Sequence, residues 1–248
     1  MQLSDIKILL LIGAEIFSFN SRSNDYSHES EIPTETTYAE AQNAFSEVSS
    51  HEFLAALEKV MPTKFKGQVN VARELLLDKE KSLLTTTIRE QEAKYGLSRT
   101  ESIAIYVYTG DLYKVLNPRL RKGSPLKVGE PLEVINRALK HALAKLPPYK
   151  GDVIRGIEPY SGLLKDFPVG SIYQPTQFLS TTLAEDSNGG YTGRPVLIRI
   201  HSKNGRDITR FTNYRENEVL FSPGSKFRVL SVEKQPRAKH WEIRLSEE

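Results

Sequence analysis

Two glutamates separated by one residue stand immediately before a short apolar run in the last part of the chain. Glu216 and Glu218 flank Asn217, and the run Val219 to Phe221 follows. Alternate side chains of an extended backbone share a face, so we expect both carboxylates to point the same way. A carboxylate pair suits chemistry at an acetal-like carbon, because one group can stabilise a developing oxocarbenium ion while the other handles a proton or the nucleophile. Taken alone, such a pair is more often a solvated strand edge.

Two upstream segments also place polar groups beside apolar ones. The segment Phe178 to Thr182 ends in three consecutive hydroxyl side chains, which can hydrogen-bond a carboxylate and orient it. Arg155 and Gly156 follow two apolar residues. The guanidinium offers a planar set of donors suited to phosphate, and the glycine allows a ligand close to the backbone. Singly, each segment also fits a polar strand end or a surface arginine.

The order of these segments resembles the Arg–Ser–Glu class of bacterial mono-ADP-ribosyltransferase toxins, which includes actin-modifying binary toxins, C3-like exoenzymes and injected effectors. The shared order is an arginine at a first strand, aromatic-x-Ser-Thr-Thr at a middle strand and Glu-x-Glu before a later strand. The resemblance spans residues 102–245. Other segments that strengthen it are Tyr108-Thr109-Gly110, Tyr113, Asn117 and Leu120-Arg121, together with residues 205–208 and 223–227.

The resemblance implies an enzyme that splits NAD, its co-substrate, and transfers ADP-ribose to arginine of a host protein without a metal. It implies that Arg155 contacts a phosphate or ribose of NAD and that Ser180 orients Glu218. Glu218 is then expected to hydrogen-bond the nicotinamide ribose and to stabilise the cationic transition state. The further NAD contacts that it implies are Gly156, Tyr108, Tyr113, Asn117, Phe178, Thr181, Thr182 and Arg194, the last in a loop over residues 185–194.

The same resemblance assigns the choice of acceptor to Glu216. Members of the class with Glu-x-Glu modify arginine, whereas members with Gln-x-Glu modify asparagine and related side chains. The chemistry agrees in direction, because a guanidinium stays protonated at neutral pH and needs an acceptor that orients it and draws off a proton. Tyr214 stands where the class carries an aromatic residue for target recognition.

Two alternatives remain open at this point. An NAD glycohydrolase would keep Glu218 but hold Glu216 in a non-productive loop. A catalytically inactive module that binds NAD or protein would be indicated by the loss of Arg155, Ser180 or Glu218, and all three are present.

The elements that must position these residues begin with helices. From residue 38 to 148 the apolar residues recur at helical spacing, and residues 36–60 and 69–95 are predicted to be helical. The predicted helix boundaries are a C-cap at Gly96, a capping box of Ser98 with Glu101, an N-cap at Asn117 before Pro118, and a helix start at Pro131.

After Tyr149 short runs of apolar or alternating residues predict strands instead. They cover residues 153–154, 178–179, 196–200, 218–221, 227–232 and 241–245. In the last run Glu242 and Arg244 alternate with apolar residues and are expected to face solvent. Helices followed by strands favour an α+β fold. The resemblance to the ADP-ribosyltransferase toxins further implies N-terminal helices packed on a two-sheet, mostly antiparallel β core with an NAD cleft between the sheets. No Gly-rich loop joins a strand to a helix, which argues against P-loop or Rossmann binding.

The chain is expected to contain one catalytic domain behind a short leader. Lys7 and the apolar run Ile8 to Ala14 predict a signal segment over residues 1–19, the alternative being a buried or frayed helix. The run is too short for a stable membrane span. Residues 20–37 have a linker composition. Residues 38–248 form the expected ADP-ribosyltransferase domain, with a helical part over 38–148 and a β-rich core over 149–248.

Composition narrows the function further. The chain has no cysteine, which excludes disulfides and thiolate catalysis, and its five histidines are scattered without metal-ligand spacing. The net charge is +3, with basic and acidic residues interleaved, so nucleic acid is not an expected partner. The resemblance to the toxin class, together with the predicted signal segment, implies a secreted protein that acts on a protein inside host cells.

Overall fold

The computed structural model of the protein describes residues 47–79, 82–183, 194–212, 217–235 and 240–248. Within these ranges every α-helix precedes the first strand. The helices are α1 (Ser50–Val60), α2 (Lys66–Leu76), α3 (Leu83–Tyr95), α4 (Arg99–Val107), α5 (Tyr113–Arg121) and α6 (Pro131–Lys145). A five-residue π-helical turn, Tyr108–Leu112, joins α4 to α5. Single 3₁₀ turns span Thr63–Phe65, Leu163–Asp166 and Thr209–Phe211.

Local signals set several helix ends as predicted. Ser98 Oγ accepts a hydrogen bond from the Glu101 backbone N–H at 3.3 Å, and Glu101 Oε2 accepts one from the Ser98 N–H at 2.7 Å. This capping box satisfies two backbone donors that the start of α4 would otherwise leave unpaired. Gly96 ends α3 in the left-handed region at φ +64°, and Pro131 is the first residue of α6. Glu101 also binds Lys145 Nζ at 2.7 Å and so ties α4 to α6.

Two helix predictions were wrong. Residues 69–95 do not form one helix, because α2 ends at Leu76 and Asp78 takes a left-handed φ of +56° that no continuing helix can hold. Asn117 is not an N-cap either. It lies inside α5, which begins at Tyr113, and Pro118 follows it within the helix. The π turn carries the chain directly from α4 into α5, so no new helix start is needed at Asn117.

Seven strands make up the sheet of the described residues. They are β1 (Pro148–Ile157), β2 (Ile172–Tyr173), β3 (Leu179–Leu183), β4 (Val196–Asp207), β5 (Glu218–Phe221), β6 (Phe227–Gln235) and β7 (His240–Glu247). Their order is β1-β3-β5-β4-β7-β6-β2, and every pair is antiparallel except β4 with β7. The predicted α+β class is confirmed.

The expected pair of separate sheets is replaced by one continuous hydrogen-bonded sheet. β4 pairs along one edge with β1, and its other edge takes β7 at Val196–His201 and β5 at Arg206–Asp207. β1 pairs with β3 as well, and β3 pairs with β5. The strands β1, β3, β5 and β4 therefore close a ring of pairings. The sheet is continuous because β4 is twelve residues long and pairs with β7 near its start and with β5 near its end.

Two apolar clusters pack on the strands. The first joins the helices to residues of the strand half, namely Phe178, Ile208, Phe211 and Leu220. The second contains Leu179, Val219 and Phe221 together with residues of β1, β4, β6 and β7. Neighbouring residues of β5 thus alternate between the clusters, as do Leu179 of β3 and Phe178 just before it, because successive side chains of an extended chain point to opposite faces.

One polar residue of β7 departs from the expected alternation. Glu242 was expected to face solvent, but it is 7% exposed. Its carboxylate binds Arg199 Nε at 3.3 Å and Arg244 Nη2 at 2.8 Å. A buried carboxylate needs such partners to offset the loss of hydration. The arginine on the adjacent strand β4 supplies a contact that the alternation within β7 does not show.

Candidate active site

The hydroxyl of Tyr108 joins the helical and strand halves of the candidate site. Tyr108 opens the π turn and is 1% exposed. Its hydroxyl oxygen accepts a hydrogen bond from Asn117 Nδ2 of α5 at 3.0 Å. The Ser180 hydroxyl of β3 also hydrogen-bonds it. Tyr108 and Asn117, which were predicted on the helical side of the site, therefore meet Ser180, which was predicted on the strand side, at the Tyr108 hydroxyl.

The electrostatic surroundings of this hydroxyl include the two remaining members of the Arg–Ser–Glu set. Burial raises the pKa of Tyr108, and the negative charge of Glu218 raises it further. The hydrogen bonds from Ser180 and Asn117 and the positive charge of Arg155 act in the opposite direction. Tyr108 is therefore a neutral hydrogen-bonding phenol at physiological pH. Arg155, Ser180 and Glu218, far apart in sequence, lie within electrostatic range of the same group.

The register of β3 and β5 decides which hydroxyls accompany Glu218. Thr182 lies opposite Glu218 and Ser180 lies opposite Leu220. Residues opposite one another in antiparallel strands share a face, as do residues two apart. Because Leu220 packs in the helix-side cluster, Ser180, Thr182 and Glu218 project toward the helices. Glu218 is only 8% exposed there, so its carboxylate is largely removed from bulk water.

Thr181, predicted as an NAD contact, lies on the other face of β3. Its hydroxyl donates to the Val219 carbonyl at 2.7 Å, and the side chain is 1% exposed. The alternation of the strand separates it from Ser180 and Thr182. The structure therefore does not bring Thr181 to the site; this hydroxyl fastens β3 to β5 instead.

Arg155 reaches the site from β1. Its Nη1 donates to the backbone carbonyl of Ser180 at 2.6 Å, which ties the arginine to the strand that carries the hydroxyls. Burial raises the pKa of the nearby Tyr173, and the positive charges of Arg155 and Arg121 oppose that rise, whereas the negative charge of Asp166 adds to it. The charges of both guanidinium groups therefore reach the same phenol.

The other aromatic residues predicted for the site differ in exposure. The Phe178 ring lies 5.4 Å from the Tyr108 ring, centroid to centroid, and Phe178 is 1% exposed. The Tyr113 ring lies 6.4 Å from that of Tyr108 and is 41% exposed. Phe178 therefore supports Tyr108 from within the core, and Tyr113 offers an accessible ring beside it.

Several predicted residues are not joined to the Tyr108 group by a described contact. Gly156 is buried in β1 opposite Leu197 of β4. Arg194 is exposed and forms an ion pair with Glu158. Tyr214, Glu216 and the loop residues 185–193 lie outside the described residues.

Tyr173, whose pKa is affected by the charges of Arg155 and Asp166, was not among the residues predicted from the sequence, and neither was Asp166. Tyr173 lies in the two-residue strand β2, which pairs with β6, and Asp166 ends a 3₁₀ turn. Neither stretch is long enough to show a periodic pattern, so no local signal marked either residue.

Asn117 provides a test of whether these residues fit NAD. Its Oδ1 is buried without a hydrogen-bond partner among the described residues, whereas its Nδ2 is used by Tyr108. A buried acceptor left unpaired is costly, so it fits a ligand that brings a donor. NAD carries hydroxyl and amide donors as well as a pyrophosphate for the arginines. The side chains therefore fit this co-substrate.

The described residues show neither a candidate metal site nor a candidate membrane span. These residues contain no group of three His, Cys, Asp or Glu placed to hold a metal ion. None of their helices combines the length and apolar character needed to cross a bilayer.

Comparison with protein families identifies the chain. The family model described as ART, NAD:arginine ADP-ribosyltransferase, matches residues 25–248. The match covers most of the sequence, and the chain therefore belongs to the NAD:arginine ADP-ribosyltransferase family. The resemblance predicted from the Arg–Ser–Glu order is confirmed.

Curated relatives carry the same family description. The putative NAD(+)–arginine ADP-ribosyltransferase Mav of Mycobacterium avium is 36% identical over 148 residues, or 58% of this chain and 17% of that protein. The NAD(+)–protein-arginine ADP-ribosyltransferase Tre1 of Serratia proteamaculans is 31% identical over 139 residues, or 55% of this chain and 30% of that protein. In both comparisons the similarity covers less than a third of the relative's length.

Solved structures share the fold at low identity. The type III effector XopAI from Xanthomonas axonopodis pv. citri has a TM-score of 0.65 at 22% identity, covering 84% of this chain and 92% of that chain. The C3 exoenzyme of Clostridium limosum has a TM-score of 0.54 at 20% identity, covering 68% and 97%. At such identities the likeness concerns the fold alone.

Proposed function

We propose that this chain cleaves NAD to nicotinamide and transfers the ADP-ribose to arginine of a host protein. The observation that carries the proposal is that Arg155 is tied to the backbone of Ser180 and that the charges of Arg155 and Glu218 both reach the Tyr108 hydroxyl, which the Ser180 side chain hydrogen-bonds. Family membership supplies the reaction class, and this arrangement supplies the groups that such a reaction needs.

In this proposal the residues around Tyr108 hold the NAD. Arg155 and Arg121 bind the pyrophosphate oxygens, for which guanidinium groups are well suited. Asn117 Oδ1 accepts a hydrogen bond from a donor of the ligand, which pairs the buried acceptor. The exposed ring of Tyr113 covers the bound ligand from the helical side.

Glu218 acts on the bond that breaks. As nicotinamide leaves, positive charge develops on the ribose, and a fixed carboxylate stabilises that charge. Because Glu218 is 8% exposed, little water screens the interaction. Ser180 lies on the same face of β3 as the residue opposite Glu218, and we propose that its hydroxyl helps to orient the carboxylate.

Our proposals about the acceptor are based on the sequence and on the family match. We propose that Glu216 orients the acceptor guanidinium and that Tyr214 contributes to target recognition. A protein arginine is the proposed acceptor because the matched family is described as NAD:arginine ADP-ribosyltransferase. We also propose that the protein is secreted and acts in host cells, since XopAI, which shares the fold, is described as a type III effector.

The first experiment incubates the purified chain with labelled NAD, with and without the soluble arginine analogue agmatine. Free nicotinamide and labelled adduct are followed separately. The proposal expects both nicotinamide release and an agmatine adduct. Nicotinamide without an adduct would favour the glycohydrolase, and no turnover of NAD would favour the inactive binding module.

The residue test within that assay is Glu218→Ala. Removal of the carboxylate is expected to lower both NAD hydrolysis and transfer by a factor of roughly 10²–10³, the usual effect of losing one group that stabilises transition-state charge. Glu233→Ala, at an exposed position of β6, is the matched control and is expected to keep wild-type rates. Retained activity in Glu218→Ala would overturn the assignment.

A further inference from the structure

A side chain of another helix is inserted into the backbone hydrogen bonds of the π turn. In an α-helix the Asp111 N–H would donate to the Val107 carbonyl, four residues earlier. Here the Gln68 amide of α2 lies between them. The Asp111 N–H donates to Gln68 Oε1 at 3.0 Å, and Gln68 Nε2 donates to the Val107 carbonyl at 3.1 Å. Insertion of a side chain into this ladder is a recognised cause of helix distortion.

Gly110 provides the space that the inserted amide occupies. A Cβ atom at this position would lie 1.5 Å from Gln68 Nε2 and 2.7 Å from Gln68 Cδ. Gly110 is not among the residues with positive φ, so its backbone conformation does not itself require glycine. The close approach of Gln68 does, and the two residues therefore depend on each other.

The widened turn sets the rotation of α5 relative to α4. A π turn adds one residue to a helix, and each residue of an α-helix advances the side-chain direction by about 100°. Closing the turn would therefore rotate the residues after it, including Tyr113 and Asn117, relative to Tyr108. The 3.0 Å contact between Asn117 Nδ2 and the Tyr108 hydroxyl depends on the present rotation.

We propose that Gln68 is a positioning residue, which holds the π turn open and thereby aligns Tyr108, Tyr113 and Asn117 for NAD. The inference rests on the proposed function in one respect, namely that these residues bind NAD. Gln68 makes its two described hydrogen bonds to the backbone of the turn, so it acts through the turn.

The experiment compares Gln68→Ala, Gly110→Ala and the double variant with the wild type. Gln68→Ala removes the inserted amide and lets the Asp111 N–H pair with the Val107 carbonyl. Gly110→Ala fills the space and expels the amide. In the double variant both changes favour an ordinary α-helix without a clash, and alanine is the better helix former at residue 110.

We expect the double variant to combine a Tm at or above that of the wild type with a KM for NAD raised about tenfold or more, the change in KM exceeding that in kcat. Its crystal structure should show a continuous α-helix through residues 107–113. This combination separates positioning from stability, because a purely structural role would move Tm and leave KM unchanged. Asn70→Ala, at an exposed position of the same helix, is the matched control and should match the wild type.

Each other outcome counts against the inference. A wild-type KM in the double variant, or a turn that stays π-helical without Gln68, would overturn it while NAD turnover by the wild type still supported the proposed function. A wild-type protein that neither binds nor cleaves NAD would overturn the proposed function and this inference with it.

Discussion

At the scale of single residues, one phenol links polar groups of the helices to polar groups of the strands. The Tyr108 hydroxyl accepts a hydrogen bond from Asn117 Nδ2 of α5, and it also hydrogen-bonds the Ser180 side chain of β3. Its ring packs on Phe178 in the core. The packing fixes the ring, and the hydroxyl then fixes polar groups on two different elements.

Tyr108→Phe separates these two contributions. The ring packing is kept, but the Asn117 amide loses its described acceptor, and leaving a buried polar group unpaired costs about 1–3 kcal/mol. We expect a higher KM for NAD in steady-state assays together with a modest loss of Tm. Tyr95→Phe at the end of α3 is the control. An unchanged KM would show that the hydroxyl does not order the site.

The role of Glu216 concerns the acceptor, so it is tested by transfer to agmatine and not by the cleavage of NAD. Glu216→Gln replaces the carboxylate with an amide that cannot draw a proton from guanidinium. We expect much of the NAD hydrolysis to remain while adduct formation with agmatine is abolished. Unchanged transfer in the paired nicotinamide and adduct assays would refute the role proposed for Glu216.

At the scale of elements, contacts between neighbouring strands determine the burial and the pKa of a side chain, which the alternation of residues along one strand does not predict. Glu242 of β7 binds Arg199 on β4 as well as Arg244 on its own strand. Burial alone would raise the pKa of Glu242, but the hydrogen bonds and charges of both arginines outweigh it and hold the pKa below the ordinary 4.5. A carboxyl group with a lowered pKa stabilises the fold while it is ionised.

The stability of the fold should therefore depend on Glu242 in acid. The contribution is fully present above pH 4.5 and is lost as the pH falls through the lowered pKa of the folded state. The variant Glu242→Gln lacks the stabilisation that the ionised carboxylate provides. The difference in free energy of unfolding between wild type and variant should therefore be largest at neutral pH and should narrow below pH 4.5. Urea unfolding over a pH series measures both curves. A constant difference would contradict the predicted coupling.

At the scale of the whole molecule, the described residues already contain both apolar clusters and the group around Tyr108. The family match begins at residue 25. These observations agree with our proposal that the catalytic domain lies within residues 38–248. The signal segment over 1–19 and the linker over 20–37 are proposed from the sequence alone.

Deletion of Met1 to Ser21 tests that organisation. The truncated protein should fold with a Tm near that of the full chain and should cleave NAD at the same rate. Thermal unfolding and nicotinamide release are the two measurements. Loss of folding would show that the segment belongs to the core, as the alternative of a buried N-terminal helix requires.

The sequence by itself determined the α+β class, the family and several of the helix ends. The capping box at Ser98 and the left-handed end at Gly96 depend on residues a few positions apart, and such signals can be read along the chain. The order of Arg155, Ser180 and Glu218 can likewise be read directly from the sequence.

Only the tertiary structure decided which of these side chains meet. The register of β3 against β5 sends Ser180 toward the helices and Thr181 toward the other cluster. Gln68 enters the π turn from a helix some forty residues earlier, which no local pattern of apolar residues reports. Periodicity describes the faces of one element, whereas pairing between distant elements fixes what each face contacts.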